Sequence, residues 1–327
     1  MRLVAIAAIL ALGGCLRSAG TQRGLAIGSA ASAAYLGEAQ YSEVLGREFA
    51  LLTPENELKW DTIHPARDRY DFGPVDALVR YARAHSMGLR GVPLVWHAQN
   101  PAWLTEGQFT RSELVGILDG HIRTVVGRYS SVIGQWDVVN EAIDDAGEPR
   151  STLWSRIIGP DYIELALRSA RAADPDVKLF YNDYGIERSG PKADAVFRMV
   201  SDLRQRGAPI DGVGFQAHLT AQASLAELQA QIDRYRAIGL EVAVTELDVR
   251  VPVPATTASL QAQADVYRGV FKACLDATNC DTVVVWGFTD RHSWIPAFVP
   301  GYGAATLYTE DYEPKPAYHA VMGLLQT

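Results

Sequence analysis

Between about residue 25 and the C-terminus, short apolar runs alternate eight times with longer amphipathic ones. This rhythm most limits what the chain can become. The apolar runs at 25–30, 49–54, 88–96, 133–140, 177–182, 212–218, 241–246 and 283–288 read as strands, rich in Val, Ile and Leu and nearly continuous in their hydrophobicity. Helical patterns lie between them at 75–85, 113–129, 162–173, 193–206, 224–238 and 260–277. Strands that are apolar on both faces and alternate with helices belong to a parallel sheet covered by helices. Eight such units in about three hundred residues fit a closed barrel better than an open sheet. No glycine-rich dinucleotide turn follows the first strand, which argues against a doubly wound fold. The fold class expected is α/β, a single (β/α)8 TIM barrel spanning 24–327, with no linker to mark a second domain.

Residues 1–15 read differently. Arg2 precedes an apolar run, Leu3 to Leu12, that is too short to span a bilayer. It ends Leu12-Gly13-Gly14-Cys15, a string resembling a bacterial lipobox with Cys15 as the lipid-modified residue. The expectation is an exported chain, held as an outer-membrane lipoprotein or found in the periplasm or at the cell surface; an ordinary secretory signal is the alternative. Export permits disulfides, and Cys274 and Cys280 close a short loop with no histidine or further cysteine to complete a metal site. A structural disulfide is therefore expected there and no metal. The net charge of -8 and the lack of a dense Lys/Arg cluster count against a nucleic-acid partner.

Polar groups collect where the apolar strands end, the place where a parallel barrel carries its chemistry. The second strand runs into Glu55, Asn56 and Lys59; the third into Trp96, His97 and Gln99; the fourth into Asn140 and Glu141. The fifth ends near Tyr184, the sixth in Gln216 and His218, the seventh in Glu246 and Asp248, the eighth in Trp286 with Trp294 beyond. Aromatic faces beside Asn, Gln, Lys and Glu suit a sugar, whose apolar face stacks while its hydroxyls take directional bonds. Two glutamates on two strand tips are the minimum set for a two-carboxylate glycosidase.

Seven strings then carry a family resemblance: TPENELKW (53–60), LVWH with Gln99 (94–99), WDVVNEA (136–142), YNDY (181–184), GVGFQAHL (212–219), TELDV (245–249) and VVWGFTD (284–290). In this order the chain resembles glycoside hydrolase family ten, the retaining endo-β-1,4-xylanases, from about Leu25 to about Leu324. The resemblance implies Glu141 as acid/base and Glu246 as nucleophile. It implies Asn140, His218 and Asp248 as catalytic support, the histidine binding the nucleophile and being held in turn by Asp248. It implies substrate contacts from Glu55, Asn56, Lys59, Trp96, His97, Gln99, Tyr184, Gln216, Trp286 and Trp294. The expected partner is β-1,4-xylan or its oligosaccharides, acted on by a monomer without a cofactor.

Departures from the family pattern lie around the sugar site. Val92 stands where a sugar-contacting histidine is usual, Ile295-Pro296 follow Ser293-Trp294 where an arginine is common, and Gly185 replaces a common asparagine. Valine cannot hydrogen-bond, so weaker action on unsubstituted xylan or a taste for a decorated or related β-glycan is expected. Two other readings stand beside xylan hydrolysis: a retaining hydrolase of another β-glycan or plant glycoside, and a cell-surface glycan-binding lipoprotein of little activity. A barrel aldolase would want a lysine on a strand end, and Lys59 lies beyond its strand.

Overall fold

The computed structural model describes residues 14–327, so the signal-peptide reading of 1–15 lies almost wholly outside the described residues. Eight parallel strands close into a barrel: β1 (Ala26–Ala31), β2 (Leu51–Pro54), β3 (Gly88–Gly91), β4 (Gln135–Asn140), β5 (Lys178–Asp183), β6 (Gly212–Phe215), β7 (Glu241–Pro252) and β8 (Cys280–Val285). Closure comes from β8 pairing in parallel with β7 on one side and with β1 on the other, Ala26 opposite Thr282. Helices Ala39–Glu48, Gly73–Ala84, Arg111–Arg128, Tyr162–Ala173, Pro191–Gln205, Leu228–Arg236, Thr257–Asp276 and Pro316–Leu325 follow the strands in turn. The α/β reading and the (β/α)8 closure therefore hold. Among the described residues no helix is long and apolar enough to cross a membrane.

Local chemistry sets the boundaries. Thr110 caps the 111–128 helix by accepting from the Glu113 N–H, and Glu113 accepts in return from the Thr110 N–H. The third apolar run reaches Trp96, but the strand stops at Gly91. Pro93 has no N–H to donate to the ladder, and contact with β4 resumes only as Leu94 and Val95 donate to the Asp137 and Val138 carbonyls. The sixth apolar run breaks at Ala217, whose φ is +59°, and its end forms a separate short strand, His218–Thr220. That strand pairs with the outer half of β7, as does the short strand Tyr302–Gly303, so β7 runs past Glu246 to Pro252.

The packed body begins before residue 24. Helix Leu16–Gln22 lies on β1 and on the 39–48 and 316–325 helices, with Leu16 fully buried and its N–H donating to Glu48. Cys15, reserved by the sequence reading for a lipid, is the N-cap of this helix. Cys274 and Cys280 form the expected disulfide, tying the end of the 257–276 helix to the start of β8. Deeper in, Arg90 on β3 forms a bidentate ion pair with Asp137 on β4 and lies over the Phe180 ring of β5.

Candidate active site

Glu141 is the first residue past β4 and adopts φ +55°, a left-handed conformation that is uncommon for a residue with a side chain. Its N–H donates to the Asn182 carbonyl and the next N–H, of Ala142, donates to the Tyr181 hydroxyl; the Glu141 carbonyl accepts from Arg150 Nε at 3.0 Å. The turn is thus pinned from three sides. Its carboxylate Oε1 accepts from Asn140 Nδ2 (3.1 Å) and Gln216 Nε2 (3.0 Å), and Oε2 faces His97 Nδ1 at 3.8 Å. Burial holds the His97 pKa below the ordinary histidine value, with the pull of Glu141 working against it.

Glu246 sits inside β7, where the pairing with β8 shifts register between Val244 and Leu247, and both of its oxygens are held. Oε1 accepts from Asn182 Nδ2 at 2.8 Å and Oε2 pairs with His218 Nε2 at 3.2 Å. The other ring nitrogen, His218 Nδ1, lies 2.9 Å from Asp248 Oδ2, which also accepts from Trp294 Nε1 at 2.8 Å. Burial alone would lower the His218 pKa, but Asp248 and then Glu246 outweigh it and raise it to about 10. Asn182 Nδ2 also donates to Asn140 Oδ1, which accepts from Gln216 as well. One amide network therefore runs from Glu141 through Asn140 and Asn182 to Glu246.

Around the pair opens a cleft of about 1340 Å³. Glu55, Asn56, Lys59, Trp96, Gln99, Asn140, Tyr184, Gln216, His218, Trp286 and Trp294 all line it with the two glutamates. Lys59 Nζ lies 5.3 Å from the Trp96 ring centroid and 5.9 Å from that of Trp286, and donates to Asn56 Oδ1 at 2.9 Å. Burial lowers the Lys59 pKa and raises that of Glu55 to about 7. His97 and Asp248 are not among the cleft-lining residues; His97 is exposed beside Glu141, and Asp248 is buried against His218.

The departures also find their places. Val92 is 1 % exposed within the hydrophobic core, and the cleft surface there is Pro93. Gly185 has φ +72°, a conformation that asparagine also tolerates, so the replacement keeps the turn and removes an amide. Ile295–Phe298 form a short helix that carries Phe298 onto the cleft.

Three contributors went unassigned by the sequence reading. Asn182 bridges the two glutamates, Arg150 braces the Glu141 turn, and Thr245 fixes the Asn182 amide by donating to its Oδ1 at 2.7 Å. An asparagine inside an otherwise apolar strand was the available signal for the first. Nothing in the pattern marks Arg150.

The sequence pattern described as glycosyl hydrolase family 10 matches residues 15–324. Endo-1,4-beta-xylanase B of Thermotoga neapolitana is 43% identical over 289 residues, covering 88% of this chain and 84% of that protein. The crystal structure of native xylanase 10B from Thermotoga maritima superposes with a TM-score of 0.93 at 42% identity, over 95% of this chain and 98% of that one. Xylanase 10B from Thermotoga petrophila, solved in complex with xylobiose, gives 0.94 at 40% identity over 100% and 98%. This chain belongs to glycosyl hydrolase family 10.

Proposed function

We propose that the chain is an endo-β-1,4-xylanase that cleaves the xylan backbone with retention of configuration, Glu246 acting as nucleophile and Glu141 as acid/base. The observation that carries the reading is the pair itself: two carboxylates on the tips of β4 and β7, joined by one amide network and open to one cleft. The relatives named above bear xylanase names, and one of them was captured with xylobiose, which supports xylan as the polymer.

The geometry supports a division of labour. Glu246 forms a bond to the anomeric carbon as the glycosidic C–O bond breaks, and Glu141 gives its proton to the departing oxygen. The His218 imidazolium, held charged by Asp248, steadies negative charge on Glu246 before attack and takes it up again on release. Glu141, now a base, removes a proton from water, which attacks the same carbon and frees Glu246. Asn140, at the junction of the network, is placed to bind a sugar hydroxyl beside the bond being cut. Lys59, Trp96 and Trp286 offer a charged donor between two indole faces, a wall suited to a sugar ring. Release of xylo-oligosaccharides from arabinoxylan or glucuronoxylan by the parent, and none by Glu246→Ala, is the expected result. Activity on mixed-linkage β-glucan alone would overturn the choice of xylan.

We extend the proposal to location: a monomer exported and anchored by lipid at Cys15. Cys15 caps the helix whose next residues bind Glu48, His85 and Ser86, all just ahead of strand starts. An anchor there would leave the cleft, at the strand ends, facing away from the membrane. Release of the enzyme into the medium by Cys15→Ser, with loss of radiolabelled palmitate incorporation, is expected; unchanged partitioning would contradict it.

A further inference from the structure

The cleft continues past Glu141. One wall is the loop after β5, which carries Tyr184, Glu187 and Arg188; the other is the outer half of β7 with the 295–298 helix, which carry Arg250 and Phe298. Arg150 binds both the Glu141 carbonyl and, at 3.3 Å, the Tyr184 hydroxyl, so this arm is built onto the acid/base turn. In the proposed reaction the sugar freed when Glu141 protonates the bond is assigned to this arm, because the arm is joined to the Glu141 turn.

The charges of the arm are unevenly satisfied. Glu187 is buried and accepts from the Ala217 N–H at 2.7 Å, and Glu227 accepts from the Ser189 N–H at 2.7 Å. Among the described residues neither Arg188 nor Arg250 has a carboxylate within 4.0 Å. The Arg250 guanidinium is half-buried, 5.8 Å from the Tyr302 ring centroid, and its one polar contact is a long 3.5 Å approach to the His218 carbonyl. A half-buried guanidinium without an anion has lost hydration and gained little for it. A carboxylate can take it in the two-pronged geometry that guanidinium favours.

Phe298 adds the second half of a recognition surface. Its side chain is 73 % exposed, 5.6 Å from the Trp294 ring, and it faces the same cleft. The short strand Tyr302–Gly303 lies between its helix and the Arg250 strand, pairing with β7 while the helix packs on it. A phenyl face and guanidinium groups without a carboxylate partner, lining one cleft, match a sugar ring that carries an acid group.

We infer that this arm is a subsite for a uronic-acid side group on the leaving part of the xylan chain, with Arg250 and Arg188 reading the carboxylate and Phe298 stacking on the ring. This deepens the xylanase reading and rests on it for the direction of the chain. It also supplies a physical basis for a preference for decorated chains that Val92 alone would leave as a loss.

The test uses binding, so that it stands apart from turnover. Glu246→Ala protein is titrated by calorimetry with a xylo-oligosaccharide bearing one glucuronosyl group, and with the same compound after its carboxyl is reduced to an alcohol. The charged compound should bind about threefold to tenfold tighter, the advantage shrinking at about 0.5 M salt. Adding Arg188→Gln and Arg250→Gln should abolish the difference, and Arg250→Lys should keep part of it. Equal affinity for the two compounds, or a preference that survives the double glutamine variant, would overturn the inference. Hydrolysis of neutral xylo-oligosaccharides by the parent is scored separately. Turnover without a carboxylate preference would leave the xylanase reading standing and remove this one; a preference without turnover would keep the carboxylate site and overturn its assignment to the leaving part of the chain.

Discussion

Glu246 and Glu141 are equally hidden from solvent and are held in opposite ways. Glu246 lies inside β7, at the register shift between Val244 and Leu247, with a separate donor on each oxygen and an imidazolium among them. Glu141 rides on a left-handed turn, with both amide donors on one oxygen and the other oxygen left to His97 at 3.8 Å. A nucleophile must stay charged and aimed. An acid/base must pass its proton outward and take one back, so one of its oxygens has to stay open. The same residue type can serve both roles because the backbone and neighbours differ, not the side chain.

The contrast breaks most visibly when either carboxylate is cut. Glu246→Ala should lower kcat by at least about four orders of magnitude on any substrate, since no bond to the sugar can form. Glu141→Ala should fail equally on xylan but still release the alcohol in a burst from an aryl xylobioside, whose leaving group needs no proton. Stopped-flow absorbance reads this directly. A burst from the Glu246 variant and none from the Glu141 variant would reverse the assignment.

His218 sharpens the comparison next, because it serves Glu246 alone. Its folded pKa of about 10 lies above the ordinary histidine value. The folded protein therefore keeps a proton that the unfolded chain gives up above about pH 6.5. The stabilisation is complete below that pH and fades as pH rises towards 10. The melting-temperature gap between parent and His218→Gln should narrow steadily from about pH 6 to about pH 10. The same variant should lose about a hundredfold or more in kcat, a charged hydrogen bond to the reacting carboxylate having gone. A constant gap across that range would mean that His218 is neutral in the fold.

Asn182 touches both sides of the comparison and should cost less. Asn182→Ala removes one donor that reaches Glu246 and Asn140 together, an effect of about 1.5–3 kcal/mol, or about tenfold to a hundredfold in kcat/KM. Its role also shows what a single sequence hides. Glu141 and Glu246 were legible because each ends an apolar run, and strand ends converge in any parallel barrel. The long reach from β5 to β7 was not, because it depends on barrel curvature and on Thr245 turning the amide. Six of the eight barrel helices were legible too, while Ala39–Glu48 and Pro316–Leu325 had no expectation. Leu16–Gln22 was missed because it adjoins an apolar leader-like run, and the early end of β3 because its apolar pattern runs straight through Pro93.

Val92 carries the smallest expected effect and tests the wall shared by neither carboxylate. At 1 % exposure it contributes to the core, and its neighbour Pro93 is the residue that lines the cleft. A sugar hydroxyl set against that surface would lose water and gain no partner from it, a loss of about 0.5–1.5 kcal/mol. Val92→His should return a donor and raise kcat/KM on linear xylo-oligosaccharides by about twofold to tenfold, offset by any strain from fitting an imidazole where valine was packed. The two terms separate by measurement, since strain lowers the melting temperature while the regained bond raises kcat/KM. A gain on linear chains that exceeds the gain on uronic-acid-bearing ones would mean that the two ends of the cleft divide recognition, backbone at Val92 and side group at Arg250. A gain of the same size on both would still count for the missing hydrogen bond. No gain on any chain, with the melting temperature unchanged, would mean that valine at this position costs the enzyme nothing.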